Sequence, residues 1–75
     1  MDMTYYAQQI EQAIPDSKAT VTGDGSKFEA IVISPSFEGL TTIQRHRMVY
    51  SALDEHIQSG AIHALSIRAL TQGEQ

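Results

Sequence analysis

The chain has 75 residues, 41% of them hydrophobic, with a formal net charge of −4 and no cysteine. A chain of this length buries only about 60% of its unfolded surface, so it is expected to form one small domain, 1–75, around a single layer of core contacts. The lack of cysteine excludes a disulfide framework and a thiolate zinc site, and the acidic balance opposes general attachment to phosphate backbones, where affinity comes from Lys and Arg.

Residues 3–14 predict a helix. At about 100° per residue, Met3, Tyr6, Ala7, Ile10, Ala13 and Ile14 share one face, with Gln8, Glu11 and Gln12 opposite. Asp2 or Thr4 is placed to cap its start, and Pro15 ends it. Two β-rich runs follow, "KATVTG" and "KFEAIVIS", separated by "DGS". This is a hairpin signal, with Gly23 and Gly25 expected to supply positive φ. "PSFEGL" connects the hairpin to a second helix, capped by Thr41 or Thr42 and running to about Ser59 before Gly60.

On that helix Ile43, Val49, Tyr50, Leu53 and Ile57 are expected to form the apolar face, with His46 at its centre. Arg45 and Arg47 then fall on opposite shoulders and diverge into solvent, Arg47 within loose reach of Asp54. The last run, "AIHALSIRAL", alternates His63, Leu65, Ile67 and Ala69 against Ile62, Ala64, Ser66 and Arg68, the pattern of a strand. The polar tail "TQGEQ" is expected to fray. The order helix, strand, strand, helix, strand predicts an α+β, two-layer α-β-β-α-β domain with a three-stranded sheet.

Little of this composition carries catalysis. Five serines (34, 36, 51, 59 and 66) lack an identifiable base, and the glycines of "GDGS" lack the lysine or spacing that cradles a phosphate. No catalytic residue is assigned, and the chain is not expected to be an enzyme. His46 and His56 stand ten residues apart on the second helix, roughly 15 Å along its axis, too far to chelate one ion. His46 reads as a packed core or boundary residue and His56 as a solvated rim residue. His63 follows the helix-ending Gly60 and opens a strand at an end of the sheet, where bland and functional readings stand equal. No stretch nears the roughly 18 apolar residues of a membrane span, and no basic segment leads into an apolar run at the N-terminus. The expected location is the cytoplasm.

Three motifs in fixed order go further: "FEGLTTIQRHRMVYSAL" (37–53), "GAIHALSI" (60–67) and Thr71, preceded by the hairpin "VTGDGSKFEAIVIS" (21–34). Together they make the chain similar to the BolA-like family along nearly its whole length. The resemblance implies a fold like that of class II KH domains, with "SFEGL" forming a short helical turn. It also implies a partner, a monothiol glutaredoxin of the CGFS type, with which family members share a bridging 2Fe-2S cluster in iron–sulfur assembly and iron regulation. The family's cluster-binding histidine maps onto His63. Imidazole is a fitting ligand for such an iron. The expected partner contact is at His63 and Arg68, with no cofactor held by the chain alone.

Two departures stand out. The family's second ligand, a His or Cys in or beside the hairpin loop, is replaced by Asp24, Gly25, Ser26 and Lys27, leaving Asp24 as a weak oxygen substitute. The sequence also ends in "TQGEQ", where the family often continues into a segment with an aromatic. Some members are described as DNA-binding transcriptional regulators of morphology and stress responses. The alternative expectation is therefore a KH-like nucleic-acid module using Arg45, Arg47, Arg68 and Lys27. It lacks the GXXG loop of true KH domains.

Overall fold

A computed structural model of the chain describes residues 3–25 and 27–75, so Asp2, considered as a cap, and Ser26 of the hairpin loop lie outside the described residues. The elements in order are helix α1 (Met3–Ala13), strands β1 (Lys18–Asp24) and β2 (Lys27–Ile33), a 3₁₀ turn (Pro35–Phe37), helices α2 (Thr42–Ala52) and α3 (Asp54–Gln58), strand β3 (Ala64–Leu70) and a second 3₁₀ turn (Gln72–Glu74). The sheet order is β1-β2-β3. The β1–β2 pair is antiparallel, and β2–β3 is parallel with the helices making the crossover that parallel pairing requires. The α+β architecture agrees with the expected one.

Period-two patterning decides which sheet face is covered. Phe28, Ala30 and Val32 of the central strand are buried, with Val21 and Ala69 beside them, while Lys27, Glu29, Ser66 and Arg68 alternate outward. The helices cover the apolar face with Tyr6, Ile10 and Ile14 from the α1 end and Val49 and Leu53 from α2 and its C-cap. Ala13, expected on the inner face of α1, is exposed. Phe37, wholly buried, fills the gap below the first 3₁₀ turn. Ser34 ties three segments together: its hydroxyl donates to the Pro15 carbonyl and accepts from the Ser36 N–H, and its own N–H bonds the Leu70 carbonyl. Such a fully buried hydroxyl is tolerated because it is paired.

Five expectations are corrected. The second long helix is two helices, because the chain tightens at Leu53, whose N–H reaches both the Val49 and Tyr50 carbonyls. The helix also presents a different face. Ile43 and Tyr50 are 65% and 42% exposed, and His46 is half-buried rather than central. What turns α2 is Arg45, whose guanidinium lies 5.9 Å from the Phe37 ring centre and donates to the Leu40 and Ala69 carbonyls. Arg45 is pinned inward at three places, and Ile43, roughly 200° away around the helix axis, faces solvent.

The tail does not fray. Thr71 and Glu74 form a reciprocal capping box, and Glu74 pairs with Arg45 at 2.6 Å. Among the described residues this is the one ion pair, so Arg47 and Asp54 do not meet. Finally, Gly25 has positive φ (76°) but Gly23 does not. Gly23 is instead a place of close approach, since a Cβ there would stand 2.6 Å from Phe28 Cδ1 and 2.9 Å from the Lys27 carbonyl oxygen.

Candidate functional site

The parallel register brings the hairpin tip and the start of β3 to one end of the sheet. Asp24 pairs with Lys27, and Lys27 with Ala64, so the three lie in a lateral row. His63 stands one residue before Ala64, beside that row, and is exposed. Asp24, Lys27 and His63 are therefore gathered at one end by strand pairing alone.

His63 is not part of the strand it was expected to open. Pairing begins at Ala64, and the buried residue in this stretch is Ile62, 2% exposed. The expected alternation holds from Ala64 onward, with Leu65, Ile67 and Ala69 on the covered side, and breaks at the start, where Ile62 is buried and His63 exposed. The cause lies in the backbone before the strand, where the Ile62 N–H bonds the His56 carbonyl at 3.1 Å and not a ladder partner. That bond turns Ile62 inward and His63 outward. Gly60, at φ 85°, makes the turn, and His63 Cε1 lies 3.9 Å from where a Cβ on Gly60 would be.

The remaining basic candidates do not assemble with this end. Arg68 is exposed on β3 opposite Ile31, four residues beyond Ala64 and roughly 13 Å further along at strand rise. Arg47 is exposed on α2, in the other layer. Arg45 is committed to the Leu40 and Ala69 carbonyls and to Glu74, its side chain only 13% exposed. Its hydrogen bond to Glu74 raises the arginine pKa, and the same bond, with the Thr71 N–H, pulls the Glu74 carboxyl down to about 2. The four cations of the nucleic-acid expectation thus belong to three separate surfaces.

His56 was also misplaced by sequence reasoning. It is half-buried, with its ring edge-on to Tyr5 (centroids 5.3 Å apart) and to Tyr6 (5.1 Å). The helical projection of α2 and α3 alone carries no signal for a contact made by a different helix.

The donor set at the sheet end can be compared with what a cluster needs. Among the described residues no group of three or more His, Cys, Asp or Glu side chains comes together. One accessible imidazole, with the Asp24 carboxylate two strands away in register, is short of the four ligands of a 2Fe-2S cluster. It fits a cluster whose other ligands come from a second protein. A shallow depression of about 400 Å³, lined by Thr22, Asp24, Lys27, Phe28, Glu29 and Ser66, adjoins this end and is open to solvent. It lacks the enclosure with which small-molecule sites surround their ligands. Among the described residues no helix is long and apolar enough to cross a membrane.

Comparison with known proteins gives the family and the fold. The family model described as BolA-like protein matches residues 7–74. The acid stress protein IbaG of Escherichia coli strain K12 is 41% identical over 65 residues, covering 87% of this chain and 77% of that protein. Among solved structures, a bolA protein homologue from Coxiella burnetii superposes with a TM-score of 0.85 at 44% identity, over 99% of this chain and 95% of that one. The BolA domain of SufE1 from Arabidopsis thaliana superposes with a TM-score of 0.83 at 26% identity, over 96% and 93%.

Proposed function

Since the chain belongs to the BolA-like protein family, we propose that it is a non-enzymatic adaptor that binds a CGFS-type monothiol glutaredoxin at the sheet end carrying His63. The observation that carries this reading is the outward projection of His63 from a backbone held on both sides, by buried Ile62 before it and the Ala64–Lys27 pair after it. An exposed imidazole on a fixed backbone is preorganised to present a ligand or hydrogen-bonding group to a partner.

A shared 2Fe-2S cluster would be an electron-transfer or iron-delivery group bridging the two proteins. On this chain His63 would hold it, with Asp24 the nearest further donor. A carboxylate is a poor match for such an iron, which favours thiolate or imidazole. The role of this chain is then to dock, to present His63, and to keep Lys27 and Asp24 beside it at the contact. Arg68 belongs to the contact only where the partner extends roughly 13 Å along β3.

The test is affinity purification of a monothiol glutaredoxin with this chain, then anaerobic reconstitution of the pair with iron and sulfide. A complex that loses affinity on His63→Ala supports the reading. A glutaredoxin that fails to bind the folded wild-type chain removes it. The nucleic-acid reading has no specific observation in its favour, because its cations lie on separate surfaces and Arg45 is internally engaged.

A further inference from the structure

We infer that His56 is a positioning residue for His63: its ring, packed edge-on against both Tyr5 and Tyr6, fixes the carbonyl from which the turn carrying His63 hangs. The inference rests on the reading of His63 as the contact residue.

Helix α3 has five residues, and its N-cap, Leu53, makes no side-chain capping hydrogen bond. A helix this short has no stability of its own in water, so its place is set by tertiary contacts. Leu53 anchors its start in the core. One turn on, the His56 ring meets Tyr5 and Tyr6 of α1 with interplanar angles of 82° and 70°, the edge-to-face arrangement that aromatic quadrupoles favour. Tyr6 in turn lies edge-on to Phe28 of the central strand at 5.8 Å. His56 is thereby connected through rings to the sheet.

The His56 carbonyl then organises everything up to His63. It accepts from the Ile62 N–H and from the Ser59 hydroxyl, both at 3.1 Å, and the Ser59 oxygen accepts from the Ala61 N–H at 3.3 Å. The Gly60 N–H bonds the Ile57 carbonyl at 3.2 Å. The residue after Ile62 is His63, and the residue after that is held in the ladder opposite Lys27. A shift of the His56 carbonyl therefore moves one of the two supports between which His63 is suspended. Loosening the ring clamp leaves the other support in place, so the effect is confined to the turn.

The experiment uses the isolated protein and two substitutions, His56→Ala, which empties the clamp, and His56→Phe, which keeps a ring in it. Amide hydrogen exchange of Ile62 is compared with that of Val32 in the central strand, and the His63 Cε1–H resonance is followed by NMR. In His56→Ala, Ile62 exchange is expected to rise by at least about tenfold more than that of Val32, as local opening requires. The His63 resonance is expected to move with it, and His56→Phe to return both toward wild type. Ile62 and Val32 changing together, or an unmoved His63 resonance, overturns the inference. Should His56→Ala not fold, Tyr5→Ala makes the same test from the other side of the clamp at a residue 38% exposed. Glutaredoxin affinity of the same variants is the second readout, expected to fall in His56→Ala and recover in His56→Phe. The NMR comparison decides the positioning role even where no glutaredoxin binds, so the two failures are distinct.

Discussion

Arg45 and Glu74 pair at 2.6 Å, and through that contact the last turn of the chain is fastened to α2. The same guanidinium holds the Leu40 and Ala69 carbonyls, so three segments meet on one side chain. Glu74 has an ordinary pKa of 4.5 and a folded value of about 2. A group whose pKa is depressed on folding contributes stability that is full above its unfolded pKa and lost as pH falls through the folded one. The Glu74 contribution is therefore expected to fade between about pH 4.5 and about pH 2. Urea midpoints measured across that window should fall more steeply for wild type than for Glu74→Gln, and parallel curves would show that the pair contributes nothing.

Core truncation separates Phe37 from His46. Phe37 is wholly buried, and Phe37→Ala is expected to cost about 3–5 kcal/mol, while His46→Ala at a half-buried position is expected to cost less than about 1 kcal/mol. Chemical denaturation of both variants gives the comparison. Equal losses would restore His46 to the centre of the apolar face, where periodicity alone places it.

Gly23→Ala tests the hairpin. The added methyl meets the Phe28 ring at 2.6 Å and the Lys27 carbonyl oxygen at 2.9 Å, and a backbone atom does not give way as a flexible side chain does. A loss of about 1–3 kcal/mol is expected, typical of overpacking. A thermal melt unchanged from wild type would mean that the β1–β2 pairing is looser than its register implies.

The order of elements, the hairpin and the outward alternation of Ser66 and Arg68 were all legible in the sequence, because period-two and period-3.6 patterns report burial directly. The motif order around His63 was legible as a resemblance. The roll of α2 was not. Apolar counting cannot anticipate that Arg45 turns inward, since its partners are the Leu40 and Ala69 carbonyls and a glutamate 29 residues away. The seat of His56 was hidden for the same reason, its partners lying on α1. The tail read as frayed because five polar residues carry no hydrophobic signal, yet a capping box and an ion pair hold it.

For nucleic acid, duplex binding at ~150 mM salt is expected to be weak and to fall steeply with salt, since few phosphates are neutralised by cations on separate surfaces. Fluorescence anisotropy with labelled DNA checks this. Nanomolar, sequence-selective binding at that salt would put the KH-like reading first.

Visible circular dichroism of a reconstituted glutaredoxin complex tests most directly whether His63 is the group this chain offers to a bridging cluster. Spectra of wild type, His63→Ala and Lys27→His are recorded together with gel filtration to establish that the partners stay bound, and chelator is then added. An altered spectrum is expected for His63→Ala. Slower cluster loss is expected for Lys27→His, which adds an imidazole in the row beside His63. An unchanged His63→Ala spectrum from an intact complex would contradict that role for His63.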